Sequence, residues 1–252
     1  MPSPRPRIVD WVFTVPFIVA FGGTLLVFDP LQRVARRLGT RAHEVVVGLL
    51  QAAIVVSLRI CGTRFAVDRS PQVRPGTPYL LIANHQSMFD IPIIGSCLFT
   101  NYPKYVSKRE LSRGIPSISY NLRYGGNALI DRGDREQALA AIHDLGRRVA
   151  ERGVSAVIFP EGTRATNGEL GRFKPAGSAT LLAAAPHLQV VPVAIDAAWK
   201  LLRFGLRPVP FGTRVRVQFG APIAREVGED AAEVIERARV EIAATIAAWR
   251  CS

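Results

Sequence analysis

Residues 79–90 begin with an apolar run, Tyr79-Leu80-Leu81-Ile82-Ala83. It stops at Asn84-His85 and passes through Gln86-Ser87-Met88-Phe89 to Asp90. An unbroken apolar run of this length, closed by polar residues, predicts a buried strand. Asp90 followed by Ile91-Pro92-Ile93-Ile94 predicts a helix with the carboxylate as N-cap and the proline in its first turn. Residues 154–159, 188–195 and 215–219 are further compact apolar runs and predict further strands. Helical spacing occurs at Ala138, Ile142, Leu145 and Val149, with Asp134 as N-cap and Gly153 as terminator. It recurs at Ile235, Ala238, Ile242, Ile246 and Trp249. Residues 69–78, carrying Pro71, Pro75, Gly76 and Pro78, read as a loop. Strands alternating with helices predict an α/β fold with a largely parallel central sheet flanked by helices. In such a sheet ligands gather beyond the carboxyl ends of the strands, where His85, Asp131-Arg132 and Glu161 to Arg164 all fall.

Residues 1–60 have a different texture and predict a two-helix, apolar, membrane-associating region ahead of a domain over 61–252. Residues 1–7 form a basic, proline-rich leader. Residues 8–28 are mostly apolar, broken by Asp10, Pro16 and Gly22-Gly23, and residues 11–28 reach the lower edge of what crosses a bilayer. No small-residue cleavage pattern follows, so the stretch reads as an anchor. A second apolar stretch, residues 45–58, is too short to span comfortably. Arg33, Arg36, Arg37 and Arg41 lie between the two. A hairpin crossing with the remainder in the cytosol would put these arginines on the far side, against the positive-inside tendency. Either the first stretch alone spans, or both helices lie in the cytosolic leaflet with the arginines at the head groups. Pro16 and the paired glycines favour the second arrangement. The expected location is the cytosolic face of the inner or cytoplasmic membrane, monotopic or single-pass. Buried helices of a soluble protein are the alternative.

Composition narrows the partners. The 252 residues carry 32 basic and 20 acidic side chains, a net charge of +12, which predicts anionic partners. The aromatic residues are not interleaved with the basic ones as a nucleic-acid stacking platform needs, so nucleic acid is set aside. Cys61, Cys97 and Cys251 are far apart and lack metal-ligand spacing, which predicts neither a disulfide framework nor a metal site.

The candidate chemistry begins with His85 and Asp90. On a continuous helix five residues rotate a side chain by about 140°, so only a turn lets these two meet. A carboxylate on one ring nitrogen leaves the other free to take a proton from a hydroxyl. Glu161-Gly162-Thr163-Arg164 follows Pro160 directly, where Gly162 permits close backbone approach and Arg164 offers a fork of donors suited to phosphate. His43, His143 and His187 have no carboxylate in a comparable setting and read as surface or satisfied histidines. Lys174 precedes a small-residue helix and is left outside the predicted site.

Asn84-His85-Gln86-Ser87-Met88-Phe89-Asp90 resembles the NHxxxxD signature of the glycerolipid acyltransferases, the group that includes the 1-acylglycerol-3-phosphate acyltransferases. Gly126 to Arg132 is similar to that family's second block, Phe159-Pro160-Glu161-Gly162-Thr163-Arg164 to its third and Val190-Val191-Pro192-Val193 to its fourth. The resemblance covers about residues 79–195 and implies that 61–252 is an acyltransferase catalytic domain. It implies acyl transfer from acyl-CoA or acyl carrier protein, as donor substrate and without a cofactor, to the free hydroxyl of 1-acylglycerol 3-phosphate, a membrane lipid. His85 is then the general base and Asp90 its partner. Arg164 is a phosphate ligand, Glu161 a positioner of the glycerol backbone, and Gly162 and Thr163 share their turn. Arg132 and Lys108 are further candidates for the same anion site. Neither a metal nor a covalent acyl-enzyme is required. A different lyso-lipid acceptor, such as lyso-ornithine lipid, is an alternative. So is a non-catalytic protein that holds anionic lipid. A hydrolase is disfavoured because no G-x-S-x-G elbow is present.

Overall fold

The apolar runs become strands of one seven-stranded sheet in a computed structural model that describes residues 5–226 and 228–251. Residues 1–4 of the basic leader lie outside the described residues, as do 227 and 252. In chain order the strands are β1 (Arg64–Arg69), β2 (Leu80–Ala83), β3 (Lys104–Lys108), β4 (Ala128–Ile130), β5 (Ala156–Ile158), β6 (Val190–Asp196) and β7 (Arg214–Phe219). Across the sheet they run β1-β7-β6-β2-β5-β3-β4. Among these strands of the described residues only β6 and β7 pair antiparallel. Five strands therefore point one way, as a largely parallel α/β sheet requires, and β1 and β7 point back.

The central strands have helices over both faces, which is why they read as continuous apolar runs without alternation. Leu81, Ala83, Val191 and Val193 face a core with Phe17, Ile54 and Phe89. Leu80, Ile82 and Val190 face a second core with Leu145, Leu181 and Ile242. The first face is covered by α1 (Ile8–Leu38), α2 (Thr40–Ser57) and α3 (Asp90–Cys97), the second by α5 (Arg135–Arg152), α6 (Pro175–Ala184) and α7 (Ala231–Cys251). A shorter helix, α4 (Ile118–Tyr124), leads into β4. The α5 boundaries follow the sequence: Asp134 accepts from the Gln137 N–H at 2.9 Å, and Gly153 ends the helix in the left-handed region at φ 61°. Strands β1 and β3 have no apolar-run signal, since β1 is an edge rich in charge and β3 carries Lys104 and Lys108 among its five residues.

The N-terminal region differs from expectation in two respects. Pro16 and the paired glycines do not break the first stretch, because α1 continues through 31 residues and absorbs Arg33, Arg36 and Arg37 into its last turns. The second stretch is not too short: with its terminal 3-10 turn it runs Thr40–Cys61, 22 residues, and both helices are long and apolar enough to cross a membrane. Their packing explains the continuity of α1. Asp10 Oδ1 accepts from the Phe211 N–H at 2.8 Å and Thr14 Oγ1 from the Val209 N–H at 2.9 Å. Near the other end, Asp29 Oδ1 accepts from the Ser117 N–H at 2.7 Å, and Gln32 Nε2 donates to the Ser117 carbonyl. The polar side of α1 therefore faces the protein, and Ile8, Val12, Val15, Val19, Leu26, Val34 and Leu38 form an exposed apolar stripe.

A buried ionic cluster fastens α2 to the sheet. Glu44 accepts from Lys104 Nζ at 2.7 Å and Arg152 Nη2 at 2.5 Å, with Arg41 at 3.3 Å. Burial pushes the Glu44 carboxyl up, but Lys104 and Arg152 more than reverse this, and its pKa lies below the ordinary range. His43 is a satisfied core histidine. It sits 3.2 Å from Gln32 Oε1 and edge-on to Tyr120, and burial, with Lys104 and Arg36 nearby, lowers its pKa to about 4.

Candidate active site

The turn after β2 brings His85 and Asp90 together. Asn84 fixes the strand exit: its amide donates to the Ile195 carbonyl at 2.8 Å and accepts from the Ile195 N–H at 2.7 Å. The chain then folds back over Asp90, whose Oδ2 lies 2.8 Å from His85 Nδ1 and accepts from the Gln86 and Ser87 N–H groups at 2.6 and 2.8 Å. Asp90 is the first residue of α3, and Phe89 holds the cap position without a side-chain cap bond. Its carboxylate turns away from its own helix to organise the loop, which corrects the N-cap expectation. Asp90 is fully buried and the His85 side chain 17% exposed. With Nδ1 donating to the carboxylate, Nε2 is the acceptor nitrogen of the neutral ring. The Phe159 ring stacks on the imidazole at 4.2 Å.

Glu161 does something that sequence spacing conceals. Its Oε1 accepts from the His85 N–H at 2.7 Å and its Oε2 from the Gly171 N–H at 2.9 Å. The His85 carbonyl in turn accepts from the Ala165 N–H at 2.8 Å. The histidine is thus held from both sides by the segment 161–171. Burial raises the Glu161 pKa, against the pull of the two backbone donors.

The remaining candidates surround this pair. Gly162, at φ 69°, makes the turn that any side chain would strain, and Arg132 donates to its carbonyl. Lys108 ends β3 in register with Ile130, two residues before Arg132, at the same end of the sheet. Thr163 and Arg164 are exposed on the turn beyond Gly162, and their side chains have no hydrogen-bond partner among the described residues. Contacts therefore join His85, Asp90, Glu161, Gly162 and Arg132, while Lys108, Thr163 and Arg164 are adjacent by register and chain position. Lys174, left outside the predicted site, also lies beside it: a Cβ on Gly162 would lie 3.6 Å from its Nζ. Its place just ahead of α6 was the available signal, since a helix start beside a lysine favours anions.

Such an arrangement can remove a proton from a hydroxyl at Nε2 and hold an anion among Arg132, Arg164 and Lys174.

Residues 64–196 match the family model described as Acyltransferase. The chain is 30% identical over 210 residues to 1-acyl-sn-glycerol-3-phosphate acyltransferase of Pseudomonas aeruginosa, covering 82% of this chain and 78% of that one. It is 32% identical over 132 residues to the human 1-acyl-sn-glycerol-3-phosphate acyltransferase beta, covering 52% of this chain and 46% of the human protein. This chain thus aligns with about half of the human relative's length. The crystal structure of the 1-acyl-sn-glycerophosphate (LPA) acyltransferase PlsC from Thermotoga maritima superposes with a TM-score of 0.78 at 19% identity, over 96% of this chain and 97% of that one. That likeness shows the fold.

Proposed function

We propose, since this chain belongs to the glycerolipid acyltransferase family of O-acyltransferases, that it moves a fatty acyl group from a thioester to the free hydroxyl of 1-acylglycerol 3-phosphate, giving phosphatidic acid. The observation that carries the mechanism is the 2.8 Å contact between His85 Nδ1 and the buried Asp90 carboxylate. His85 Nε2 takes the acceptor hydroxyl proton as that oxygen attacks the thioester carbonyl carbon. Asp90 stabilises the imidazolium that forms. When the tetrahedral intermediate collapses, the carbon–sulfur bond breaks and the thiolate leaves, recovering the proton from His85. Arg132, Arg164, Lys174 and Lys108 serve the acceptor phosphate. Glu161 acts through the His85 backbone, holding the base where the hydroxyl arrives.

Acceptor choice is supported by the names of the relatives together with this basic rim. The donor is acyl-CoA or acyl carrier protein, used as a substrate. Residues 1–60 serve as the membrane-associating part and 61–252 as the catalytic domain. The polar contacts that tie both ends of α1 to the protein favour a helix lying along one leaflet, its apolar stripe in lipid, over one that crosses.

The test offers the purified protein labelled acyl-CoA or acyl carrier protein with a panel of lyso-lipids. Transfer to lysophosphatidic acid above the other acceptors is expected. Preferential transfer to another lyso-lipid would move the acceptor assignment, and transfer to none would overturn the reading.

A further inference from the structure

The loop that follows Arg164 is secured by a residue far away in the chain. Arg250, in the last turn of α7, donates from Nη2 to the Gly168 carbonyl at 2.6 Å and to Asp196 Oδ1 at 3.0 Å, with Nη1 3.3 Å from Glu169 Oε1. Asp196 is the final residue of β6, at the sheet end where His85 sits. Gln86, beside the base, approaches the same two acceptors: its Nε2 is 3.4 Å from the Gly168 carbonyl and 3.5 Å from Asp196 Oδ1. Gly168 adopts φ 83° and is pressed against Trp199, whose Nε1 would lie 2.2 Å from an added Cβ. Its backbone can occupy that site only as glycine.

Segment 161–171 therefore has two kinds of fastening. Glu161 and Ala165 tie it to His85, and Arg250 ties its middle to β6. Thr163 and Arg164 project from between Glu161 and Ala165, and Arg250 holds the chain just beyond, at Gly168. A planar guanidinium bonded to two acceptors at once fixes their separation and orientation, which a flexible ammonium does less well. We propose that Arg250 is a positioning residue that sets the placement of the 161–171 loop and thereby the affinity for the lyso-lipid acceptor. This rests on the acyl-transfer reading for its kinetic consequence, and on the hydrogen bonds alone for its structural one.

The experiment pairs kinetics with amide hydrogen exchange on the full chain in detergent micelles, comparing wild type, Arg250→Ala, Arg250→Lys and Asp196→Asn. In Arg250→Ala, exchange in peptides covering 162–171 should speed up while peptides of β2 and β5 stay unchanged. The acceptor KM should rise about five-fold, with kcat within about two-fold, the scale expected for losing charge-assisted hydrogen bonds at a partly exposed site. Arg250→Lys should fall between, and Asp196→Asn, which keeps an Oδ1 acceptor and the Arg250–Gly168 bond, should change both readouts in the same direction but less than Arg250→Ala. Unchanged exchange in 162–171 would overturn the proposal whether or not the lipid substrate has been identified correctly. Faster exchange with an unmoved KM, for whichever acceptor wild type uses best, would overturn its kinetic half. A uniform loss of both kcat and protection across the chain would show Arg250 to be only a stabiliser of the fold. Absence of transfer by wild type would instead count against the acyl-transfer reading.

Discussion

At His85 the contact with Asp90 was readable from residue types, because a histidine and a carboxylate on either side of a strand-to-helix turn have one efficient way to meet. What holds the histidine was not readable. Glu161 is 76 residues from His85 in sequence and 10 from Gly171, and no local pattern joins them. The motif drew attention to Glu161 as a substrate contact, whereas both its oxygens accept from backbone N–H groups. Glu161→Gln tests this, since an amide offers one acceptor where the carboxylate offers two and leaves one buried N–H facing a donor. The variant should lose about 1–3 kcal/mol of stability, measured by denaturant unfolding. Its kcat should fall roughly 10- to 100-fold with the acceptor KM little changed, because the base is displaced and the anion site is not. A raised KM at normal kcat would return Glu161 to the role of a substrate contact.

At the scale of elements, the apolar periodicities located the central strands, α5 and α7 well, and misjudged α1. Proline and paired glycine are breakers by propensity, but Asp10, Thr14 and Asp29 accept hydrogen bonds from backbone N–H groups 88–201 positions away, which tie the helix down on either side of them. Long-range contacts of this kind override local preference. The seam between α1 and α2 also makes a pH prediction. His43 has a folded pKa of about 4 against an ordinary 6.5. Between these values the unfolded chain binds a proton that the folded one does not, so stability is present above pH 6.5 and is lost as pH falls toward 4. The loss amounts to roughly 3 kcal/mol from this residue. Thermal unfolding of His43→Gln should therefore depend less on pH between 6.5 and 4 than that of wild type. Parallel curves for the two proteins would contradict a buried neutral His43.

For the whole molecule, alternating strands and helices made the layered α/β architecture legible, but not the strand order. Order is decided by where each crossover lands, and β7 turns back beside β6 in a way that its own residues do not announce. Charge and surface were easier to anticipate: a net charge of +12 and an apolar stripe along α1 together suit an anionic bilayer surface. Binding to vesicles containing phosphatidylglycerol should exceed binding to purely zwitterionic ones and weaken with salt. A Val12→Glu, Val19→Glu double variant should lose most vesicle binding while staying folded, because both side chains point out of the protein. Undiminished binding by that variant would place the lipid contact elsewhere.

We propose that His85, held by Asp90, is the base for acyl transfer to a lysophosphatidic acid hydroxyl. The most direct test is initial-rate acyl transfer by wild type and His85→Ala, at equal amounts of folded, vesicle-bound protein. Wild type should form phosphatidic acid, and the variant should lose about 10²- to 10⁴-fold in kcat with membrane binding intact. Comparable rates for the two proteins would contradict this assignment.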